Sequence, residues 1–389
     1  IAPSLVGSEM CIRDSANSQA PALEFADHKL IVSTRDVEKT LQLVKDFNKK
    51  IEINGVMTIA NDVPFTVASI AEELNLKGIS LETARIASDK LLMKKILKEN
   101  NINIPEFKEI FSGEEIKELI EEWGEPIIVK PNDGRGARGV IRVTKNIDFN
   151  WAFLEAKENS YSGRVIAESF LKGVQLSTES MIYEGKSYTA AISQRNYDLV
   201  EKYAPYMIEN GGIIPADLDQ KTTDSIEELI TAVAKAMKIN NNTIKGDLVI
   251  TANGPYVIEF AARLSGGYLC TDQIPTSRGV DLVKETINLS LGKKLDIAEL
   301  IPKDLCKIGI RYFFPKPGVV KSINGFSTLN RYKWILKKEL NIKVGDIISN
   351  VVNHPSRVGF VHAKGKTFNE AQSRAIRAIN EIKIEVADE

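Results

Sequence analysis

Cysteine and histidine are both scarce in this sequence, with three of each among 389 residues. Cys11, Cys270 and Cys306 stand too far apart for a disulfide framework or a paired-cysteine metal site. His28, His354 and His362 supply no zinc-type cluster. Surplus charge is lacking too, since 51 Lys and Arg face 52 Asp and Glu, a net charge of −1. Affinity for nucleic acid or an anionic membrane surface rests on excess basic charge, so neither partner is expected. No apolar run reaches the ~18 residues of a membrane span. With 43% hydrophobic and 26% charged residues, the composition fits a globular chain of two or three domains, expected in the cytoplasm.

Residues 1–21 show no helical or strand periodicity, and Glu9, Arg13 and Asp14 interrupt any apolar stretch, so this segment is not expected to be a secretory signal. No Met opens the chain. The string SLVGSEMCIRDS resembles translated sequencing adaptor, and the expectation is a non-native or disordered tail, the native start lying elsewhere.

From Lys29 onward, strand and helix patterns alternate. KLIVS and GVMTIA (55–60) read as strands, with a helix over 36–50 between them and another over 65–74, opened by Asp62 and Pro64. This alternation predicts a doubly wound parallel lobe that lacks its first strand and helix. A helix over 81–100 follows, then strands at INIPEFKEI and PIIVKP around a helix with a capping box at Ser112 and Glu115. GVIRVT, a helix over 149–158, RVIAESFL and VQLSTESMIYEGKSYTAAIS continue as a mostly antiparallel sheet. A helix over 224–238 precedes a hairpin turned at Asn253-Gly254. KIGIRYFFP, GDIISNV, VGFVHAKG and a helix over 369–383 close the chain. The fold class is α+β.

The densest chemistry lies in PIIVKPNDGRGARGVIRVT (126–144). Gly134, Gly136 and Gly139 spell GxGxxG, but a strand follows where a dinucleotide fingerprint needs a helix. The loop is therefore a hairpin tip whose backbone N–H groups, with Arg135 and Arg138, can close over phosphate oxygens. Lys130 ends the strand before the loop and Lys90 opens a helix, so both are candidate phosphate ligands. Asp247 and Glu259 sit on the two arms of the Asn253-Gly254 hairpin, nearly opposite each other. Facing carboxylates repel unless a proton or a cation lies between them, and Mg²⁺ accepts such oxygen ligands. Arg263 follows, four residues beyond Glu259. In RVIAESFLKGVQLS, a strand runs into a linker that offers backbone groups to a base edge.

In this order, ASDK, IIVKPNDGRGARGV, VIAESFLKG and GPYVIEFAARLSGG resemble the ATP-grasp superfamily over residues 25–389. The resemblance implies ATP and Mg²⁺ (or Mn²⁺) as cofactors. It implies a ligase that activates a carboxylate as an acyl phosphate for attack by an amine or thiol. Lys90 and Lys130 resemble the nucleotide-phosphate lysines, and residues 133–139, including Arg135, Gly136, Ala137 and Arg138, the mobile glycine loop. Glu168 with Phe170 and Leu171 resembles the adenine linker, and Gln175 stands where a ribose-binding Glu is usual. Asp247 and Glu259 resemble the metal ligands, with Ala261 where a third ligand is often Asn. Arg263 resembles the arginine at the γ-phosphate and, more loosely, Arg311 a substrate-side arginine. Arg195, in the segment 194–218, is the candidate to hold a substrate carboxylate bidentately.

The implied organisation is a truncated N-terminal lobe over 22–82, an ATP-grasp domain over 83–300 with a lid over about 105–168, and a C-terminal subdomain over 301–389. The end of the chain resembles L-amino-acid ligases and biotin carboxylase-like members, so small-molecule carboxylates and amines are the expected partners, amino acids among them. The resemblance leaves room for a homodimer. The alternatives are a bicarbonate-activating carboxylase or carbamoyl-phosphate-synthase-like enzyme, and an ATP-binding regulatory protein without turnover.

Overall fold

A computed structural model describes residues 12–15, 17–18 and 21–387. Strand β1 (Ile12–Ser15) pairs in parallel with β2 (His28–Ile31), so four residues of the segment expected to stand apart take part in a sheet. The rest of that expected tail, apart from residues 17, 18 and 21, lies outside the described residues.

Helix α1 (Val37–Asn48) and helix α2 (Pro64–Glu73) form where periodicity placed them. GVMTIA does not become a strand. Of its residues only Ile59 pairs, through a single parallel bridge to Leu264. A strand is stabilised by its neighbours, and residues 55–58 find no paired partner among the described residues, where the expected doubly wound sheet shrinks to β1 and β2. The helix expected over 81–100 breaks at Asp89, whose backbone is extended, into α3 (Leu81–Ser88) and α4 (Lys90–Glu99). The Asp89 carboxylate caps α4 by accepting the Leu92 N–H at 2.9 Å. The break sets Lys90 at a helix start, the place expected of it as a phosphate ligand.

The lid is one antiparallel sheet in the order β3 (Phe107–Ile110), β6 (Val165–Ser169), β4 (Ile127–Pro131), β5 (Ile141–Val143), backed by α5 (Gly113–Trp123) and α6 (Phe149–Glu158). Ile116, Leu119 and Ile120 of α5 pack with Ala152, Phe153 and Ala156 of α6 and the lid strands in one core. The expected capping box is shifted, its carboxylate reaching the residue before the cap. Glu115 accepts the Phe111 N–H at 2.6 Å, whereas the Ser112 side chain makes no cap bond.

The central sheet has eight antiparallel strands. They are β7 (Val174–Tyr183), β8 (Lys186–Arg195), β9 (Gly211–Ile214), β10 (Asn242–Thr251), β11 (Gly254–Ala261), β12 (Lys307–Tyr312), β14 (Ile335–Leu340) and β16 (Gly359–Gly365), in the order β11-β10-β7-β8-β9-β12-β16-β14. Strands from beyond residue 300 therefore extend the same sheet. Helix α7 (Gln220–Ala236) covers one face through Ile226, Ile230, Val233 and Ala234, the spacing of a single helical stripe. Each such isoleucine contributes about 1.5–3 kcal/mol on burial. Strands β13 (Gly318–Asn324), β15 (Ile347–Ile348) and β17 (Lys383–Ala387) form a small outer sheet behind α10 (Phe368–Glu381). No helix among the described residues is long and apolar enough to cross a membrane.

Candidate active site

The lid sheet, the central sheet and the N-terminal lobe enclose a cavity of about 520 Å³. Lys90, Lys130, Gly134, Arg135, Gly136, Ala137, Glu168, Phe170, Leu171, Gln175, Arg195, Asp247, Glu259 and Arg263 all line it. Three other expected residues do not. Arg138 is exposed and donates to the Arg135 carbonyl at 3.3 Å. Gly139 is buried against α6, where an added Cβ would meet Asn159 at 2.8 Å. Arg311 is buried in β12 and donates to its neighbour's carbonyl, Ile310 O, at 2.8 Å. A strand turns alternate side chains to opposite faces, and the resemblance at Arg311 could not say which face this one takes.

Asp247 and Glu259 are direct partners across the β10–β11 ladder. The two-residue connection is Ala252-Asn253, one position earlier than the expected turn, with Gly254 at φ +100° as the first strand residue. Both carboxylates face cations. Asp247 pairs with Lys245, two residues before it on the same strand face, and with Arg195 at 3.1 Å. Glu259 pairs with Lys90 at 3.4 Å. Burial opposes its ionisation, but the ammonium groups of Lys90, Lys245 and Lys130 prevail and hold its carboxyl well below the usual carboxylate range. Among the described residues no group of three or more His, Cys, Asp or Glu side chains is arranged to hold a metal.

The glycine loop is fastened in place over the cavity. Lys90 donates to Gly134 O at 2.9 Å, and Arg135 donates to Asn61 Oδ1 at 3.1 Å and Asp62 O at 2.8 Å. Gly136 at φ +65° and Ala137 at φ +57° are both left-handed. Glycine adopts that region freely, whereas for alanine it costs roughly 1–2 kcal/mol, strain held by the surrounding contacts. The Asp62 carboxylate also grips Arg263 at 2.5 Å. In the sequence Asp62 reads as a helix-start signal, but its side chain makes no cap bond because it points at this arginine.

Two buried ion clusters wall the cavity. Glu168 holds Lys130 at 2.8 Å and Lys94 at 3.0 Å, and Lys94 also donates to Ile258 O at 3.1 Å. Burial lowers the Lys94 ammonium to about 8, partly offset by Glu168. Lys94 went unnoticed in the sequence, although it lies one helical turn beyond Lys90 and so on the same face. The second cluster contains Arg195, expected to grip a substrate carboxylate. Its guanidinium is already shared between Glu209, at 2.5 and 2.7 Å, and Asp247. Burial works against the Glu209 carboxylate, yet Arg195 and Arg357 lower it to about 2.

Residues 87–267 match the ATP-grasp domain family, and residues 311–387 match the L-amino acid ligase C-terminal domain 2 family. D-alanine–D-alanine ligase B of Clostridium perfringens is 30% identical over 237 residues, covering 57% of this chain and 74% of that protein. The chain belongs to the ATP-grasp family. It is an ATP-grasp ligase, a member of an ATP-binding enzyme class. The carbamoyl phosphate synthase large chain of Thermotoga petrophila is 24% identical over 290 residues, 72% of this chain but 24% of that protein. The solved L-amino acid ligase from Bacillus licheniformis superposes with a TM-score of 0.79 at 22% identity, over 93% of this chain and 88% of that one, which establishes a shared fold. Of the cavity residues in this ATP-grasp ligase, Asp62, Lys245 and His354 had not been expected there. Lys245 could have been found from the two-residue strand period that places it beside Asp247. His354, more than a hundred residues away in sequence, carried no signal.

Proposed function

We propose that this enzyme uses ATP to activate a small carboxylate as an acyl phosphate and passes the acyl group to an amine, with amino acids as the substrate class. The carrying observation is the in-register Asp247–Glu259 pair, set in one cavity with Lys90, Lys130 and Lys245 beneath the glycine loop. The match of residues 311–387 to an L-amino acid ligase domain supports amino acids as substrates.

In the first step a substrate carboxylate oxygen attacks the γ-phosphorus of ATP, the bond to the β-phosphate bridging oxygen breaks, and ADP leaves. The amine then attacks the acyl carbon, loses a proton, and inorganic phosphate departs with the bonding pair, leaving an amide. Lys90 and Lys130 neutralise phosphate charge, the main requirement of phosphoryl transfer. Arg263, oriented by Asp62, presents a planar cation to the transferring phosphoryl group. The loop held by Lys90 and Arg135 excludes water that would otherwise hydrolyse the acyl phosphate.

Two facing carboxylates, paired in this structure with lysine and arginine side chains, fit Mg²⁺, which prefers oxygen ligands and completes its shell with phosphate and water. Asp247 and Glu259 would hold it, and bound there it supplies charge neutralisation at the phosphates. Ala261 adds no donor oxygen from its side chain.

The test is ADP release with Mg·ATP and a panel of L-amino acids, with bicarbonate as a separate arm. Stimulation by amino acids supports the reading. Stimulation by bicarbonate alone points to carboxylation, and no release under any condition leaves a binding protein. Glu259→Gln should abolish turnover while the chain remains folded, and full activity in that variant removes the metal role.

A further inference from the structure

The C-terminal region reaches the glycine loop directly. The His354 N–H donates to Gly136 O at 3.1 Å, and Pro355 packs beside Gly136, its Cδ 3.6 Å from where a Cβ would stand. The turn His354–Ser356 is stiffened by Asn353, whose side chain accepts the Ser356 N–H at 3.2 Å. Its far end is pinned by Arg357, which donates to Glu209 O at 2.8 Å, approaches the Glu209 carboxylate at 3.6 Å, and stacks over Tyr312 at 3.9 Å. Glu209 in turn holds Arg195, and Arg195 holds Asp247. The His354 imidazole lines the cavity, and its buried Nε2 has no hydrogen-bond partner.

We infer that the turn His354–Arg357 is a clasp for the glycine loop, and that Arg357 and Glu209 are positioning residues linking loop closure to the carboxylate of Asp247. The inference rests on the nucleotide site proposed above. Each link is a short contact between separate parts of the chain: loop tip to turn, turn to Glu209, Glu209 to Arg195, Arg195 to Asp247. Opening the loop breaks the Gly136–His354 bond and frees one end of this chain of contacts. Closing it re-forms a rigid wall on which Asp247 is held at a set position. The clasp therefore makes the C-terminal region part of the reaction machinery and not only an extension of the sheet.

The exposed Arg138 supplies a readout, because trypsin cleaves after it when the loop is open. Cleavage rates are compared with and without magnesium and a non-hydrolysable ATP analogue, in full-length variants. His354→Ala keeps the N–H donor, whereas His354→Pro removes it, and Asn353 before it is already extended at φ −162° and ψ 177°, a backbone that tolerates a following proline. Nucleotide should protect wild type and His354→Ala, while His354→Pro is cleaved about five- to tenfold faster, the scale of one lost hydrogen bond. Arg357→Gln should raise the magnesium concentration for half-maximal ADP release about tenfold, the scale of one lost charged hydrogen bond, with Arg357→Lys recovering part of it and KM for ATP at saturating magnesium little changed. Equal cleavage of the alanine and proline variants, or an unshifted magnesium response in folded Arg357→Gln, overturns the clasp. Failure of nucleotide to protect wild type at all overturns the nucleotide site itself, and the clasp with it.

Discussion

Ion pairs occur both in the cavity wall and on the outer C-terminal layer, and burial makes them different objects. Lys94, Lys130 and Glu168 have side chains exposed by only 1, 6 and 3%. Arg331 and Arg377, which meet Glu381 on α10, are exposed by 60 and 61%. The outer pairs sit in water, where attraction is screened and the ordering of long side chains offsets it. The wall pairs are desolvated, so each charge is tolerated only while its partner remains. Retaining such a cluster where an apolar wall would fold as well points to a use for charge, and the use proposed above is phosphate binding. The outer layer teaches the reverse, since its ion pairs can be lost without consequence for either fold or site.

The sharpest way to break this contrast is Glu168→Ala, which leaves two ammonium groups facing each other without a counter-charge. The expected loss is about 3–5 kcal/mol in chemical denaturation, with ATP affinity falling too. A stability equal to wild type would show that the wall is wetter than its burial indicates.

Two buried histidines, His354 and His362, sharpen the same point through acid. Burial pushes both down to about 3, so the folded chain leaves them neutral where the unfolded chain, at 6.5, takes up protons. Stability from these groups is complete above pH 6.5 and is lost as pH falls toward 3. In His362→Phe, which keeps the packing against Phe360, the fall in unfolding midpoint over that range should be shallower.

Lys94 gives a smaller effect at the alkaline end. Its folded value of about 8 lies below 10.5, so between these limits the unfolded chain holds a proton that the folded chain has released. Wild-type stability therefore gains a rising component from pH 8 to 10.5, and Lys94→Met should lose it. An identical slope in the two proteins would mean that Lys94 keeps its proton in the fold. Smallest of all, Arg377→Ala on the outer layer should leave the unfolding midpoint unchanged at both low and high salt, measured by scanning calorimetry.

Local pattern was enough for much of the architecture. Helix α6 begins and ends where its periodicity places it, at Phe149 and Glu158, and Asp247 and Glu259 meet as expected, a bulge between Asp247 and Leu248 making up for a turn that comes one position early. These are short-range facts, decided by spacing along a few residues. The failures share the opposite property. GVMTIA has a strand's composition but, among the described residues, no neighbouring strand to pair with. Asp89 breaks a helix that its neighbours favour, where Asn132 from the lid accepts the Leu91 N–H at 2.8 Å as the second helix begins. Arg195 has the right chemistry for a substrate carboxylate, yet two carboxylates of the chain itself reach it first.

Spacing and composition by themselves settled most of the helices and strands, where the glycine loop sits, and that two acidic residues share one hairpin. Tertiary packing alone decided which charges meet. Asp62 with Arg263, Lys94 with Glu168, and His354 with Gly136 join residues 201, 74 and 218 positions apart, across lobes whose docking depends on several hydrophobic cores at once. The strength of each contact depends on how much water those cores exclude, a property of the assembled fold that no stretch of residues carries on its own.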